Sequence, residues 1–432
     1  MDNTKKRKIR GVIVGYGNRG QVYADYTFDS PDEFEIVGVV DVNDFKLQQA
    51  KERYKLDDSC LFKTIEDFLK AKVSCDIVIN STMDQLHYET ALKILNAKYD
   101  MLIEKPIVPN KEQLLQLQRT AIENGCRVFV CHVLRYTPYF VKIKELINSG
   151  EIGDIVTMEV NEHVSIRHFA TSYVRGKWRN ESECGSGFLL AKSCHDLDII
   201  CWLNNATVPQ SVVSFGNRSQ FVKVKQPEDA SEYCYQCIHK DTCLYSAVKM
   251  YGELNVMPFL VWDRMNKPLD EITLEEKAEY LKSDVYGRCI YDIPDADLSD
   301  RQNILISFAN GSVCSFTLIG GATKADRYVH IVGTKGEIEG KLNEAKIVIR
   351  KASLEKNGYT EEIIDVSPNV VSTAKYGGHN GGDYAIMHDL CRYLNGDQSS
   401  LSITSLNDSV NGHLCVFAAE QSKKEKKIVD IS

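Results

Sequence analysis

Six residues near the N-terminus, Gly15-Tyr-Gly-Asn-Arg-Gly20, constrain the fold of this chain more than any other segment. They follow an apolar run from Ile9 to Val14, which is typical of a buried strand, and they open a helical pattern. In such a unit the first glycine permits a tight turn, the second lets the backbone approach a pyrophosphate, and the third lets the helix pack closely against the strand. The pattern predicts a dinucleotide site formed by Gly15, Gly17, Asn18, Arg19 and Gly20.

An acidic residue stands where a ribose-binding carboxylate is expected. The run Phe34 to Asp41 is rich in Val and Ile and predicts a second buried strand, which Asp41 ends. Asp41 lies roughly 20 positions after the glycines, at the distance that favours hydrogen bonds to an adenosine ribose. Because its charge would repel a 2′-phosphate, NAD is the favoured cofactor and NADP the less favoured one.

Apolar runs continue to alternate with helical patterns as far as Tyr136, which predicts a doubly wound parallel sheet of the Rossmann type. Later strands are expected at Asp76–Ser81, Met101–Glu104 and Arg127–Val133. We therefore predict an α/β protein whose residues 1–136 form an NAD(P)-binding domain.

The pattern changes after Tyr136. Alternating strands joined by turn residues predict an α+β domain with a mainly antiparallel sheet over residues 137–432. Residues 226–300 interrupt the strands with cysteines and acidic residues, and we interpret them as an insertion.

Charge and hydropathy favour small-molecule chemistry. The chain of 432 residues has 52 basic and 60 acidic side chains, a net charge of −8 that gives no attraction for nucleic acid or an anionic membrane. No apolar run approaches the ~18 residues that span a bilayer, and no export signal precedes the glycine motif. We expect a cytoplasmic protein in which most of the 14 cysteines are reduced.

A second motif, Glu104-Lys105-Pro106, ends a predicted strand of the first sheet. Together with the N-terminal glycine motif it resembles the Gfo/Idh/MocA family of glucose-fructose oxidoreductases and inositol dehydrogenases, and the resemblance covers nearly the whole chain. It implies an NAD(P)-dependent dehydrogenase that acts on a sugar or polyol. It also implies that residues 137–432 bind the substrate and form a homodimer or homotetramer through their sheet. It further implies that Lys105 lies beside the nicotinamide and binds the reacting hydroxyl or helps to deprotonate it. Further candidates for cofactor contact at strand ends are Ser81, Glu104 and Lys105 itself.

A third motif, Leu190-Ala-Lys-Ser-Cys-His195-Asp-Leu-Asp198, begins a helical pattern. Many members of the resembled family have Asp four residues before the His, whereas this chain has Ala191 there. Lys192 and His195 are three residues apart and share a helical face. We therefore predict His195 as the general acid/base and Lys192 either as its acid/base partner or as a substrate contact. The alternative is that His195 only makes a structural hydrogen bond near a helix start.

Sugar recognition needs hydrogen-bonding groups and an aromatic face, and several segments supply both. The same mixture is common at ordinary surface or subunit contacts, so both interpretations stay open. The candidates for substrate contact are Arg135, Tyr136, His168, Tyr173, Arg175, Trp178 and His379, the last in a glycine-rich segment from Gly377 to Asp383.

A cysteine cluster suggests a metal. Cys234, Cys237 and Cys243 lie at short spacing, with Cys289 as a possible fourth ligand and His239 in reserve. Four such ligands would form a closed, structural zinc site, and the alternative is a set of reduced, unligated thiols.

The sequence is compatible with three functions. The first is hydride transfer between NAD(P) and a ring hydroxyl of a sugar, a sugar derivative or an inositol. The second is an NAD-dependent glycosidase that oxidises its sugar transiently and eliminates the aglycone. The third is a non-catalytic sensor of sugar or dinucleotide, which retention of Lys105 and His195 disfavours.

Overall fold

The chain folds around two sheets in a computed structural model that describes residues 7–367 and 379–431. The first sheet has six strands, all parallel, in the order β3-β2-β1-β4-β5-β6. Its central strands are apolar on both faces because helices cover both sides. The strands are β1 (Ile9–Val14), β2 (Phe34–Val40), β3 (Leu61–Phe62), β4 (Ile77–Asn80), β5 (Met101–Ile103) and β6 (Val128–Val130).

Crossover helices connect these strands, and their ends follow local signals. The Asn110 side chain caps one helix by accepting from the Gln113 amide at 3.0 Å, and Gly125 ends that helix at φ 67°. The helices of this half are α1 (Asn18–Ala24), α2 (Tyr26–Asp29), α3 (Asp44–Tyr54), α4 (Ile65–Ala71), α5 (His87–Asn96) and α6 (Lys111–Asn124).

The second sheet has nine strands in the order β14-β13-β12-β11-β7-β10-β9-β8-β15. Only the β7 and β10 pair is parallel; the other neighbours in the described sheet are antiparallel. The expected fold class, a parallel sheet followed by a mainly antiparallel one, is confirmed. The strands are β7 (Ile155–Ser165), β8 (Pro209–Asn217), β9 (Arg301–Phe308), β10 (Val313–Ala322), β11 (Asp326–Gly333), β12 (Gly336–Lys341), β13 (Lys346–Ala352), β14 (Tyr359–Asp365) and β15 (Val429–Asp430).

One helix of this half, α10 (Phe188–Leu203), is almost entirely buried. It lies against the last long helix, where a Cβ on Gly412 would come within 2.8 Å of the Cα of Asp198. Glycine at that position therefore permits the close approach of the two helices. The remaining helices are α7 (Pro138–Asn148), α8 (Ile166–Phe169), α9 (Glu181–Cys184), α11 (Pro258–Val261), α12 (Leu274–Tyr280), α13 (Gly382–Leu394) and α14 (Leu406–Glu425).

The long segment between β8 and β9 has little regular structure besides the short helices α11 and α12. The buried guanidinium of Arg175 holds it by donating to the carbonyl oxygens of Arg288 at 2.8 Å and Tyr245 at 2.7 Å. Within residues 7–367 and 379–431, no helix combines the length and apolarity needed to cross a bilayer.

Candidate active site

The glycine turn after β1 contains two crowded positions and one open position. Gly15 has φ 89°, and a Cβ there would lie 2.7 Å from the carbonyl oxygen of Ser81. A Cβ on Gly20 would lie 2.2 Å from the Gly15 carbonyl oxygen. A Cβ on Gly17, in contrast, would meet no atom within 4 Å. The turn thus presents open space beside Gly17 at the start of α1, a helix end without a side-chain cap, which fits a pyrophosphate.

Two side chains fix this turn from either side. The Asp41 carboxylate accepts hydrogen bonds from the backbone amides of Tyr16 and Asn43, both at 2.8 Å. The Ser81 hydroxyl donates to the Gly15 carbonyl oxygen at 2.8 Å. Both residues therefore touch the backbone that would hold a dinucleotide, and Asp41 places a negative charge beside the turn.

Arg19 connects the turn with a buried network of charged groups. Its guanidinium lies 2.6 Å from a Glu104 carboxylate oxygen and 2.7 Å from Asp383, and it also donates to the Tyr23 hydroxyl. Burial alone would raise the pKa of Glu104, but Arg19 and Lys105 outweigh it and bring that pKa below its ordinary value. Glu104 therefore stays ionised, and it accepts the backbone amide of Lys105 at 2.8 Å.

The Lys105 ammonium joins the two halves of the molecule. It extends from the end of β5 and donates to the backbone carbonyl oxygen of Ala191 on α10 at 2.8 Å. Ala191 is the residue four positions before His195. Lys105 thus reaches the helix that carries the predicted acid/base residue.

His195 is 4% exposed and faces a second histidine. Its Nδ1 lies 3.5 Å from the Nδ1 of His132, and its ring centroid lies 6.1 Å from that of His379. Burial lowers the pKa of His195 well below its ordinary value, and the charge of Lys105 lowers it further. The imidazole is therefore neutral near pH 7 and can accept a proton.

Lys192 belongs to a cluster of buried charges between α10 and the second sheet. Its ammonium lies 3.2 Å from Glu162 on β7. Arg327 on β11 lies 2.9 Å from the other oxygen of Glu162 and 2.7 Å from Asp196. Burial lowers the pKa of Lys192 even though Glu162 opposes this effect. The Lys192 ammonium therefore loses its proton more readily than the ammonium of an exposed lysine.

Several of the predicted substrate residues lie together. The Tyr173 ring stands 5.9 Å from the His168 ring and 6.1 Å from the Trp178 ring, centroid to centroid. The Trp178 indole donates to the Asp84 carboxylate at 3.0 Å. The structure therefore brings His168, Tyr173 and Trp178 into one aromatic group, while His379 contacts Asp383 at 3.1 Å.

Arg135, Tyr136 and Arg175 differ from the other predicted substrate residues because their polar groups are buried and already bonded. Arg135 is 1% exposed and makes two hydrogen bonds to Asp198, at 2.7 and 2.5 Å. The hydroxyl groups of Tyr136 and Thr404 lie 3.3 Å apart, and Arg175 holds the segment between β8 and β9. The polar groups of these three side chains are therefore engaged within the protein in this structure.

The predicted zinc site finds no support. Every cysteine is free, and no group of three or more His, Cys, Asp or Glu side chains within residues 7–367 and 379–431 is arranged to hold a metal ion. The four thiols are neighbours nonetheless: burial raises the pKa of Cys243 and of Cys289, and the charges of Cys234 and Cys237 raise it further. A single CxxC pair without a second one is only a moderate signal for zinc.

Several charged residues near the site escaped the sequence-based prediction. His132 follows β6 directly, and the ends of parallel strands are where functional groups collect, so its position offered a usable signal. Asp196 and Asp198 lie within the third motif and Asp383 ends the glycine-rich segment, but spacing alone does not show which distant charged groups they meet. The residues that the prediction missed are Asp84, Glu162, Asp196, Asp198, Arg327 and Asp383.

A parallel sheet with a glycine turn, joined to a second domain that supplies a histidine opposite a strand-end lysine, defines a nicotinamide-dependent oxidoreductase. The chain belongs to the Gfo/Idh/MocA oxidoreductase family. Residues 9–132 match the family's NAD-binding Rossmann fold, and residues 144–431 match its C-terminal alpha/beta domain.

Two curated relatives and one solved structure illustrate the family. The Bacillus subtilis (strain 168) protein YteT, an oxidoreductase by name, is 24% identical over 73% of this chain and 72% of its own length. The scyllo-inositol 2-dehydrogenase (NADP(+)) IolW of the same organism is 28% identical over 45% of this chain and 52% of its own. The WlbA dehydrogenase of Bordetella pertussis, solved with NADH and UDP-GlcNAcA, aligns with a TM-score of 0.69 at 18% identity over 99% of both chains.

Proposed function

We propose that this protein transfers a hydride between NAD(H) and a ring hydroxyl of a sugar, a sugar derivative or an inositol. One observation carries the proposal: the Lys105 ammonium, at the end of a strand of the nucleotide-binding sheet, contacts α10 at Ala191, one turn before the buried, neutral His195. A proton-handling pair is thereby assembled at the edge of the sheet where a dinucleotide binds. The name of IolW and the UDP-GlcNAcA bound to WlbA support a polyol or sugar substrate.

The dinucleotide would be held mainly by backbone groups. Bound there, its nicotinamide supplies or accepts the hydride. The amides at the start of α1 would bind the pyrophosphate beside the open side of Gly17, braced by Ser81. Asp41 would accept hydrogen bonds from the adenosine ribose and disfavour a 2′-phosphate, so we propose NAD rather than NADP. The full set of proposed contacts is Gly15, Gly17, Asn18, Arg19, Gly20, Asp41, Ser81, Glu104 and Lys105.

Two side chains would act on the reacting hydroxyl, one by stabilising the alkoxide and the other by accepting the proton. The Lys105 ammonium would stabilise the developing alkoxide, because a fixed positive charge in a water-poor site acts strongly on a nearby anion. The neutral imidazole of His195 would accept the proton during oxidation and return it during reduction. Lys192 would assist by binding a neighbouring hydroxyl, since Glu162, which Arg327 fixes from the other side, holds the position of its ammonium.

The aromatic group would form the wall of the sugar site. The half-buried Trp178 offers ring surface that the buried Tyr173 supports from behind, and His168 and His379 offer ring nitrogens for hydroxyl groups. Aromatic faces suit the apolar C–H side of a sugar ring, and the nitrogen atoms suit its edge.

We also propose that the chain forms a homodimer or homotetramer through the outward face of the second sheet. This face carries exposed apolar side chains on three neighbouring strands: Phe215 (70% exposed), Leu305 (58%) and Val313 (49%). Light scattering of wild type and of Leu305→Glu tests this assembly, because a charge at the centre of such a face should dissociate it.

A single assay separates the proposed reaction from its alternatives. The protein is incubated with NAD⁺ and a panel of free aldoses, sugar acids and inositols, and NADH absorbance is followed. Parallel reactions contain nitrophenyl glycosides, whose cleavage releases a coloured aglycone. Net NADH from a free sugar supports the proposal. Aglycone release without net NADH would instead identify a glycosidase, and binding of NADH without any turnover would identify a sensor.

A further inference from the structure

A buried histidine outside the proposed catalytic pair lies directly behind His195. His132 follows β6, is 0% exposed, and places its Nδ1 3.5 Å from the Nδ1 of His195. Its other ring nitrogen, Nε2, has no hydrogen-bond partner among the described residues and lies 3.6 Å from an Asp198 carboxylate oxygen. A buried imidazole with one nitrogen against a histidine and the other facing a carboxylate is an unusual arrangement for a simple core residue.

The carboxylate behind His132 is firmly held. Arg135 donates two hydrogen bonds to Asp198, so the orientation of this carboxylate is fixed. Asp198 and His195 are three residues apart on α10, and both therefore lie on the side of the helix that faces His132. The fold aligns His195, His132 and Asp198 in that order.

The alignment restricts where the protons are. Burial lowers the pKa of His132 well below its ordinary value, and Arg135 and Lys105 lower it further, so this ring is neutral and carries one N–H. An N–H directed at a carboxylate 3.6 Å away is favoured over a lone pair directed at it. The proton of His132 therefore resides on Nε2, and its Nδ1 is an acceptor. The Nδ1 of His195 then has to be the donor across the 3.5 Å separation, which leaves Nε2 of His195 without a proton.

His413, the other histidine that packs against His132, does not compete for these positions. The His413 ring centroid lies 5.6 Å from that of His132, and its Nε2 already accepts the backbone amide of Ile107 at 3.0 Å. Burial lowers the pKa of His413 to about 3, so it too is neutral. It packs against His132 and holds the ring in place.

We propose that His132, oriented by Asp198, is a positioning residue that sets the tautomer of His195 and so makes Nε2 of His195 the base. The inference deepens the proposed function, on which the catalytic role of His195 rests. It also explains which group orients His195 in this chain, because Ala191 provides no carboxylate one turn before His195 on the same helix. The orienting group comes instead from the end of a strand in the other sheet.

The tautomers are measurable directly. The full chain, labelled with ¹⁵N-histidine and saturated with NAD⁺, is studied by long-range ¹H–¹⁵N correlation, and resonances are assigned from His195→Gln and His132→Asn. We expect a proton on Nδ1 of His195 and on Nε2 of His132. If the wild-type protein instead has a proton on Nε2 of His195, or on Nδ1 of His132, the inference is wrong, and no variant is needed to show it.

Two variants at one position sharpen the test. The side-chain oxygen of Asn in His132→Asn stands near the position of the lost Nδ1 and still accepts, whereas His132→Leu offers no acceptor. We expect His195 to keep its Nδ1 proton in His132→Asn and to shift toward the Nε2–H form in His132→Leu. With the sugar found in the panel, kcat should fall by about 100-fold in His132→Leu and much less in His132→Asn, at unchanged KM. Identical tautomers and identical kcat in both variants contradict the proposal.

The two proposals fail in different ways. If wild-type protein produces NADH from a sugar but His195 is protonated on Nε2, the proposed function stands and the positioning role of His132 is wrong. If the tautomers are as expected but no sugar is oxidised, the assignment of the reaction is wrong and the arrangement of the histidines stands.

Discussion

The glycine turn differs in construction from the histidine–lysine cluster, by which we mean Lys105, His132 and His195. The turn consists of six consecutive residues and is fixed mainly by backbone contacts, such as those that Asp41 and Ser81 make with it. The cluster is assembled from two strand ends and a helix that are distant in the sequence. Lys105, for example, contacts the carbonyl oxygen of Ala191, 86 residues further along the chain. A site made of local backbone geometry can be recognised from sequence, whereas a site made of distant side chains has to be seen in the fold.

The two regions also depend on different energies. In the turn, steric space at single Cβ positions decides whether the backbone can adopt its conformation. In the cluster, buried charges are stable only while each keeps its partner, so removal of one group exposes the cost of burying the other. Substitutions in the two regions should therefore separate cofactor binding, catalysis and stability.

Loss of the Lys105 ammonium should give the largest effect. We expect Lys105→Met to lower kcat by about 10²- to 10⁴-fold, because the developing alkoxide loses its positive partner. Affinity for NADH, measured by fluorescence, should fall far less than kcat, since Lys105 is one of nine proposed contacts with the dinucleotide and the backbone amides of the turn are unaffected. The matched control is Lys70→Met on the exposed side of α4, which should behave as wild type. A Lys105→Met protein with full kcat would remove this residue from the catalytic site.

Loss of the Arg135 guanidinium should lower the stability of the fold. Arg135→Met leaves the Asp198 carboxylate buried without its two hydrogen bonds, and we expect the free energy of unfolding to fall by about 3–5 kcal/mol. Denaturant unfolding measures it, with the exposed Arg119→Met as control. If stability is unchanged and only the KM for the sugar rises, Arg135 contacts substrate after all.

Arg135 shows why part of the site could not be predicted. The dinucleotide motif and the sheet types were readable because glycine spacing and hydropathy periods are local signals. An Arg-Tyr pair at a domain junction suggests ligand contact, but only the fold reveals that Asp198 lies opposite the arginine. Likewise, β12 (Gly336–Lys341) was not anticipated because its sequence, GEIEGK, is mostly polar, and its pairing with β11 and β13 defines it as a strand.

Two glycines of the turn should respond differently to the same substitution. In Gly20→Ala the new Cβ would lie 2.2 Å from a backbone oxygen, so we expect a loss of about 1–3 kcal/mol in stability. Gly17 has ordinary angles, φ −81° and ψ −167°, and open space around its Cβ position. Gly17→Ala should keep the melting temperature of wild type and weaken NADH binding by roughly tenfold or more, because the methyl group fills the space of the pyrophosphate.

Thermal unfolding and NADH titration of the two glycine variants form one experiment, and each is the other's control. Equal melting temperatures for both variants would show that the close packing at Gly20 is relieved by small shifts. Wild-type NADH affinity in Gly17→Ala would show that the dinucleotide does not lie against this side of the turn.

Neutralising Asp41 should give the smallest effect, a change in cofactor preference. The wild-type carboxylate, held by the amides of Tyr16 and Asn43, should favour NADH over NADPH by repelling the 2′-phosphate. We expect the ratio of the two dissociation constants to shift toward NADPH by about tenfold, or ~1.4 kcal/mol, in Asp41→Asn. Fluorescence titration with each nucleotide measures the ratio without a sugar substrate, and the exposed Asp57→Asn is the control. An unchanged ratio in Asp41→Asn would mean that the charge beside the turn stabilises the backbone and does not select the cofactor.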